Sequence, residues 1–204
     1  MNTQNRKEQE KLARKQDILE AGLQLFAEKD FHEVTVDEIA ERVGLSKGTL
    51  YLYFKNKEDL FFSIVQDKTD LLYGRLHAAI EYDQSFDDCL KGFVYTFLSF
   101  FEEYKPYFKI VQSEKIRLNV DDHYRLHQFG MGAFQTFFNL FIELIEIGKK
   151  QKIIRNIETV VLAKNLRGIL NSFTFHRVFL GSQETVEQET DHVVDLFLHG
   201  VAKH

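Results

Sequence analysis

Ser46, Lys47, Gly48, Thr49, Tyr51 and Tyr53 crowd hydroxyls, one cation and a bare length of backbone into one short segment. Side chains of these types donate and accept hydrogen bonds along a polar or anionic surface. Leu50 and Phe54, four apart, can anchor the opposite side of a helix. Gly48 costs a helix interior up to about 1 kcal/mol relative to alanine, a cost offset if the backbone must approach a ligand closely. Taken singly, each residue reads better as part of a surface helix with an incidental glycine and two amphipathic tyrosines. No nucleophile elbow, phosphate loop or acid/base pair is present, so an enzyme is not expected and no cofactor is implied.

Two short helices position this segment. Thr35-Val36-Asp37-Glu38 is a capping box, in which the Thr35 hydroxyl accepts from the Glu38 amide and the Glu38 carboxylate reaches back. A helix carrying Ile39, Ala40 and Val43 follows, and Gly44 ends it in a left-handed conformation. Ser46 caps the next helix, Lys47 to about Phe54. The turn Val43-Gly44-Leu45-Ser46 joins the two as a helix-turn-helix, whose second helix can present its N-terminal residues to a major groove. Before the pair, the spacing of Ile18, Leu19, Gly22, Leu23, Leu25 and Phe26 predicts a helix over about Gln9–Glu28. After it, Asn56 caps a helix running from Lys57 toward Ile80. Further helices are expected over about Phe86–Tyr104, Pro106–Leu118, Asp122–Lys150, Glu158–Leu180 and Glu184–Ala202, with Tyr82–Ser85 as a polar joint.

One Pro and 11 Gly in 204 residues leave little material for the corners of a sheet protein, so the class expected is all-α. The single cysteine, Cys89, has no partner for an internal disulfide, and reads as a plain buried thiol. The first seventeen residues are too charged for a secretory signal. No apolar run approaches the roughly 18–20 residues of a membrane span. A soluble, cytoplasmic protein with no membrane partner is the expectation. The net charge is −5, yet Arg6, Lys7, Lys11, Arg14 and Lys15 face only Glu8 and Glu10 in the first fifteen residues. Lys47, Lys55 and Lys57 form a second basic group. Charge placement matters more than its sum for an anionic partner, although a solvated terminus explains the first group equally well.

The run Thr35-Val-Asp-Glu-Ile-Ala-Glu-Arg-Val-Gly-Leu-Ser-Lys-Gly-Thr-Leu-Tyr-Leu-Tyr-Phe-Lys-Asn-Lys-Glu-Asp-Leu60 closely resembles the DNA-binding signature of the TetR family of transcriptional regulators. The resemblance is detailed over about residues 12–65 and architectural beyond. It implies a three-helix head, residues 1–57, that binds double-stranded operator DNA. It also implies a helical effector-binding and dimerisation domain, residues 58–204. Thr35 would meet phosphate through its hydroxyl and helix N-terminus. Ser46, Lys47, Gly48 and Thr49 would meet base edges and adjacent backbone, with Lys47 suited to guanine or to phosphate. Tyr51 and Tyr53 would touch phosphates or thymine methyls, and Lys57 a phosphate. Leu52 departs from a tyrosine often found there and is left out of the reading set.

For the second domain, the resemblance implies a small-molecule pocket between the middle helices. Phe93, Phe97, Phe100, Phe101, Phe108, Phe129, Phe134, Phe137, Phe138 and Phe141 either fill a core or line a lipophilic cavity for an apolar or amphipathic effector. Glu102, Glu103, Glu114 or Glu143 suits a cationic head, and Lys105, Lys109, Lys115 or Arg117 an anionic one. His123 and His127, spaced i, i+4 beside Asp121 and Asp122, have no second ligand pair and read as a solvated helix start. A two-fold interface between homodimer subunits is implied for Leu162, Leu166, Ile169, Leu170 and Phe173 with Val186, Val193, Val194, Leu196, Phe197 and Val201. From periodicity alone these are equally monomer core. The expected function is a repressor released from a palindrome by a lipophilic ligand. The rivals are a ligand-binding or scaffolding protein with a vestigial head, and an activator or nucleoid-type binder.

Overall fold

The computed structural model describes residues 3–80, 84–112 and 120–200, with side chains described outside 3–4 and 120–134. Every regular element among them is helical. α1 spans Thr3–Glu28, α2 Val36–Arg42, α3 Lys47–Leu50, α4 Lys57–Ala78 and α5 Phe86–Glu103. α6 spans Lys105–Gln112, α7 Val120–Lys150, α8 Thr159–Phe175 and α9 Val186–His199, and a π-helical turn, His176–Leu180, extends α8. The chain divides into two compact units, Met1–Lys68 with Pro106–His127, and Thr69–Lys105 with Gln128–His204. The division falls inside α4, midway along its length.

Two elements differ from expectation. α1 starts at Thr3 rather than near Gln9, because the polar lead-in is rich in helix formers and pairs Arg6 with Glu10 one turn on, at 2.8 Å. The α-form of α3 ends at Leu50 rather than Phe54. Beyond it Leu52 N–H donates to the Thr49 carbonyl and Tyr53 N–H to the Leu50 carbonyl, three residues back, which makes a tight 3₁₀-like turn.

In the first unit, Ile18, Leu23, Val34, Ile39, Leu50 and Leu60 are all but fully buried. Phe26, Phe31 and Phe61 form an aromatic knot, with Phe26 stacked on Phe31 at 5.5 Å and Phe61 edge-on to both. Gly22 is where α1 meets α4: a Cβ there would lie 2.7 Å from the Ile64 side chain. In the second unit, α5 buries Phe86, Cys89, Leu90, Phe93, Val94, Phe97, Leu98, Phe100 and Phe101, and α7 buries Leu140, Phe141, Leu144 and Ile145.

Candidate nucleic-acid interface

The helix-turn-helix begins at its cap. Thr35 Oγ1 accepts from Glu38 N–H at 3.2 Å, and Glu38 Oε2 accepts from Thr35 N–H at 2.9 Å, so both arms of the capping box form. Lys29 Nζ adds a bond to Glu38 Oε1 at 2.6 Å. Lys29, then the Thr35 backbone and hydroxyl, pull the Glu38 carboxyl from the ordinary 4.5 down to about 2. Because the folded value is the lower one, this cap stabilises the head fully above pH 4.5 and is lost as pH falls toward 2. Acid unfolding followed by circular dichroism should therefore shift over that window in Glu38→Gln, with little change in the pH dependence above it.

Gly44 turns the chain with φ +67°, a conformation L side chains rarely adopt. Ser46 then caps α3: its Oγ accepts from Thr49 N–H at 3.2 Å and lies 2.9 Å from Thr49 Oγ1. Ser46, Lys47, Gly48 and Tyr51 are exposed, Thr49 and Tyr53 half-buried, and Leu50 and Phe54 buried beneath them. A methyl group placed on the Gly48 α-carbon would meet only Ser46 Oγ, at 3.9 Å, among the described residues. Nothing in that packing calls for glycine there. Leu52, outside the reading set drawn from sequence, is the most exposed large apolar side chain of the head, at 78 %.

Two cations are held by the protein itself. Lys47 Nζ bonds Asp37 Oδ2 at 2.7 Å, which raises the lysine above its ordinary value. Sequence shows Asp37 only as a place in the capping run, and its reach across the turn is not visible there. Lys57 Nζ donates to the carbonyls of Phe31 at 2.7 Å and Val34 at 2.9 Å, and sits 4.4 Å from the Phe31 ring centroid. Burial lowers its ammonium below the ordinary lysine range. It thus ties the 29–34 loop to the start of α4. Lys57→Ala is expected to raise amide exchange in residues 29–35 severalfold, and Lys57→Arg to restore part of the protection. Unchanged exchange would mean the two carbonyl bonds hold nothing in place.

The second unit shows where the effector candidates lie. Phe93 meets Phe141 at 5.0 Å, Phe97 meets Phe101 at 5.0 Å, and Phe137 meets Phe141 at 5.6 Å. These rings pack on one another, and Phe93, Phe97, Phe101 and Phe141 are core. Phe108 is also buried, in the first unit. Glu103 is paired to Arg75 and Glu102 to Lys105 and Arg177, so three of the candidate head-group partners are already engaged. Lys109 is exposed and Glu143 half-buried. Glu114, Lys115, Arg117, Phe129, Phe134 and Val201 lie outside the described side chains, as do Asp121, Asp122, His123 and His127.

On α8, Leu166 and Leu170 are fully buried within the chain, and Val193 on α9 likewise. Those three are monomer core. Leu162, Ile169 and Phe173 on α8, and Val186, Val194, Leu196 and Phe197 on α9, stay half-exposed. No helix of the described residues is long and apolar enough to cross a membrane.

The profile of the family described as "Bacterial regulatory proteins, tetR family" matches residues 18–64. A fatty acid metabolism regulator protein of Bacillus subtilis (strain 168) is 38% identical over 64 residues, 31% of this chain. The match spans 33% of that regulator's own length. Over the whole fold, the fatty acid degradation regulator FadR of Bacillus halodurans superposes with TM-score 0.79 at 22% identity, covering 94% of this chain and 97% of its own. FadR of Bacillus subtilis in complex with stearoyl-CoA superposes with TM-score 0.76 at 20% identity, covering 92% and 99%. Residues 18–64, the head with its capping box, glycine turn and Ser-Lys-Gly-Thr helix start, are thus a match to the tetR family of bacterial regulatory proteins.

Proposed function

We propose that the chain is a cytoplasmic DNA-binding transcriptional regulator, a homodimeric repressor that leaves a palindromic double-stranded operator when a small lipophilic ligand binds. Residues 1–57 would serve DNA and residues 58–204 the effector and the second subunit. The observation that carries this reading is α3: its N-terminal residues are exposed around a glycine that the packing does not require. Close approach of that backbone to a partner is the reason for glycine at such a position.

In the complex, Thr35 holds a phosphate at the start of α2. Ser46, Lys47, Gly48 and Thr49 face base edges and the adjoining backbone, Tyr51 and Tyr53 flank them, and Lys57 contacts phosphate as far as its two carbonyl bonds permit. Lys47 must exchange Asp37 for DNA. The named relatives support a fatty-acyl compound, an amphipathic ligand with an anionic head, over a lipophilic cation. For an acyl chain, apolar contact supplies most of the affinity, at about 25 cal/mol per Å² before ordering costs.

Selection of DNA from a random pool, followed by release assays with acyl-CoAs, fatty acids, cationic dyes and sugars, tests both halves. Gly48→Ala is the companion variant. It should melt slightly higher, since alanine favours helix by up to about 1 kcal/mol, and bind the selected operator at least tenfold more weakly. Binding with no sequence preference would favour the scaffolding alternative, and release by sugars alone would exclude the lipophilic effector.

A further inference from the structure

The N-terminal half of α1 does not belong to the head's core. Every described side chain from Asn5 to Asp17 is exposed, and burial begins abruptly at Ile18 and Leu19. At about 1.5 Å per residue, this is roughly 20 Å of helix beyond the packed segment. Its stripe is continuous with that segment. Positions 18, 22 and 25, which face the core as Ile18, Gly22 and Leu25, are preceded on the same helical face by 7, 11, 14 and 15, which are Lys7, Lys11, Arg14 and Lys15. The apolar stripe of the head therefore becomes a cationic stripe. Arg6, on another face, is neutralised by Glu10. Among the described residues none of the four stripe cations forms an ion pair.

Lys15 locates the end of the stripe. Its Nζ lies 5.8 Å from the centroid of the Phe54 ring, and Phe54 directly follows Tyr53 at the end of the α3 turn. The C-terminal end of the cationic stripe thus lies beside the end of the recognition turn. A row of cations spaced a turn apart, with Glu10 already paired to Arg6, is the complement of a phosphate track, which carries one negative charge per about 1.7 Å of duplex axis.

We propose that Lys7, Lys11, Arg14 and Lys15 form a second, sequence-independent DNA-contact element, lying along the phosphates that flank each half-site. This rests on the DNA-binding reading above. The stripe supplies affinity and salt dependence, while α3 supplies sequence preference.

The test uses the full chain with all four cations replaced: K7Q, K11Q, R14Q and K15Q together. Affinity is measured from low to high salt on three duplexes: the pool-selected operator with long flanks, the same operator trimmed to its ends, and an unrelated sequence. Melting temperature and helicity should match wild type, since the positions are exposed. The variant should bind the flanked operator 10- to 100-fold more weakly near physiological salt. Its log–log salt slope should fall by about 0.9 for each phosphate no longer neutralised. The ranking among operator variants should stay unchanged, and trimming the flanks should cost wild type far more than the variant. An unchanged salt slope in a folded variant overturns the proposal. So does loss of binding to anionic phosphatidylglycerol vesicles with DNA binding intact, which would make the stripe a membrane surface. A wild type that binds none of the duplexes selectively defeats the regulator reading itself, a separate outcome.

Discussion

Ile169→Glu is expected to give folded monomers, whereas Leu170→Glu, one residue on, is expected to unfold the second unit. The two side chains point about 100° apart on α8. Leu170 shares its stripe with Ala163, Leu166 and Thr174, all fully buried inside one chain. A carboxylate there has no partner and costs several kcal/mol, about as much as a marginal domain holds. Ile169 shares its stripe with Leu162 and Phe173, spaced i−7 and i+4, and these are half-exposed in the single chain. A charge on that stripe is solvated in a monomer and intolerable only if a second copy covers it. Light scattering should then show monomers with unchanged far-ultraviolet dichroism. Operator affinity should fall by roughly 10²–10⁴, because two half-sites no longer act through one linked molecule. An unchanged dimer would place the interface elsewhere. Loss of helicity in Ile169→Glu would assign the stripe to the monomer core.

That pair of neighbours shows where sequence reasoning stops. Periodicity finds apolar residues on α8 but cannot separate two adjacent stripes, one internal and one open, because both are Leu, Ile and Phe at helical spacing. Exposure separates them at once. The head is far more legible, since its determinants are local. The capping box, the glycine turn and the Ser46 cap each act over three or four residues, and their residue types admit few alternatives. The end of α3 falls earlier than periodicity places it, because a 3₁₀-like turn and an α-helical turn bury Leu50 and Phe54 equally well.

Long-range polar contacts are not legible. The bonds from Lys57 back to Phe31 and Val34 span more than twenty residues, and a lysine's sequence neighbourhood does not reveal which carbonyls it can reach. The family resemblance assigns Lys57 to phosphate, and its two carbonyl bonds set a competing demand on the same ammonium. Asp37 and Lys47 behave alike: both are visible as charges, but not as a pair at 2.7 Å. The phenylalanine-rich stretch divides in a similar way. Rings that read as either core or cavity lie, at Phe93, Phe97, Phe101 and Phe141, against one another.

A further cluster invisible to sequence lies at the end of α8. Arg177, in the π-helical turn, donates through Nε to Glu189 Oε2 at 2.8 Å, through Nη1 to Glu102 Oε2 at 3.2 Å, and through Nη2 to the Glu184 carbonyl at 2.7 Å. Ser182 Oγ donates to the other Glu189 oxygen at 2.6 Å. Arg177 and Glu189 are both buried, so the guanidinium joins α5, α8 and α9 where water is scarce. Such a pair adds little over an apolar one, yet breaking it leaves the buried guanidinium with only the part-exposed Glu102 to balance it, at a cost of up to about 3–5 kcal/mol. Glu189→Gln keeps the side-chain shape and removes the charge. At roughly 2–4 °C per kcal/mol for a chain of this size, its melting temperature should fall by about 10 °C. Amide exchange should rise first in residues 176–190, the segment the guanidinium holds down. The double variant Arg177→Met, Glu189→Leu should recover most of the loss, since it removes the stranded charge along with its partner. If the double variant is no more stable than Glu189→Gln, the cost lies in packing and not in the unpaired arginine. If neither variant moves the melting temperature, Glu102 and the Glu184 carbonyl suffice to hold Arg177, and the bond to Glu189 is dispensable.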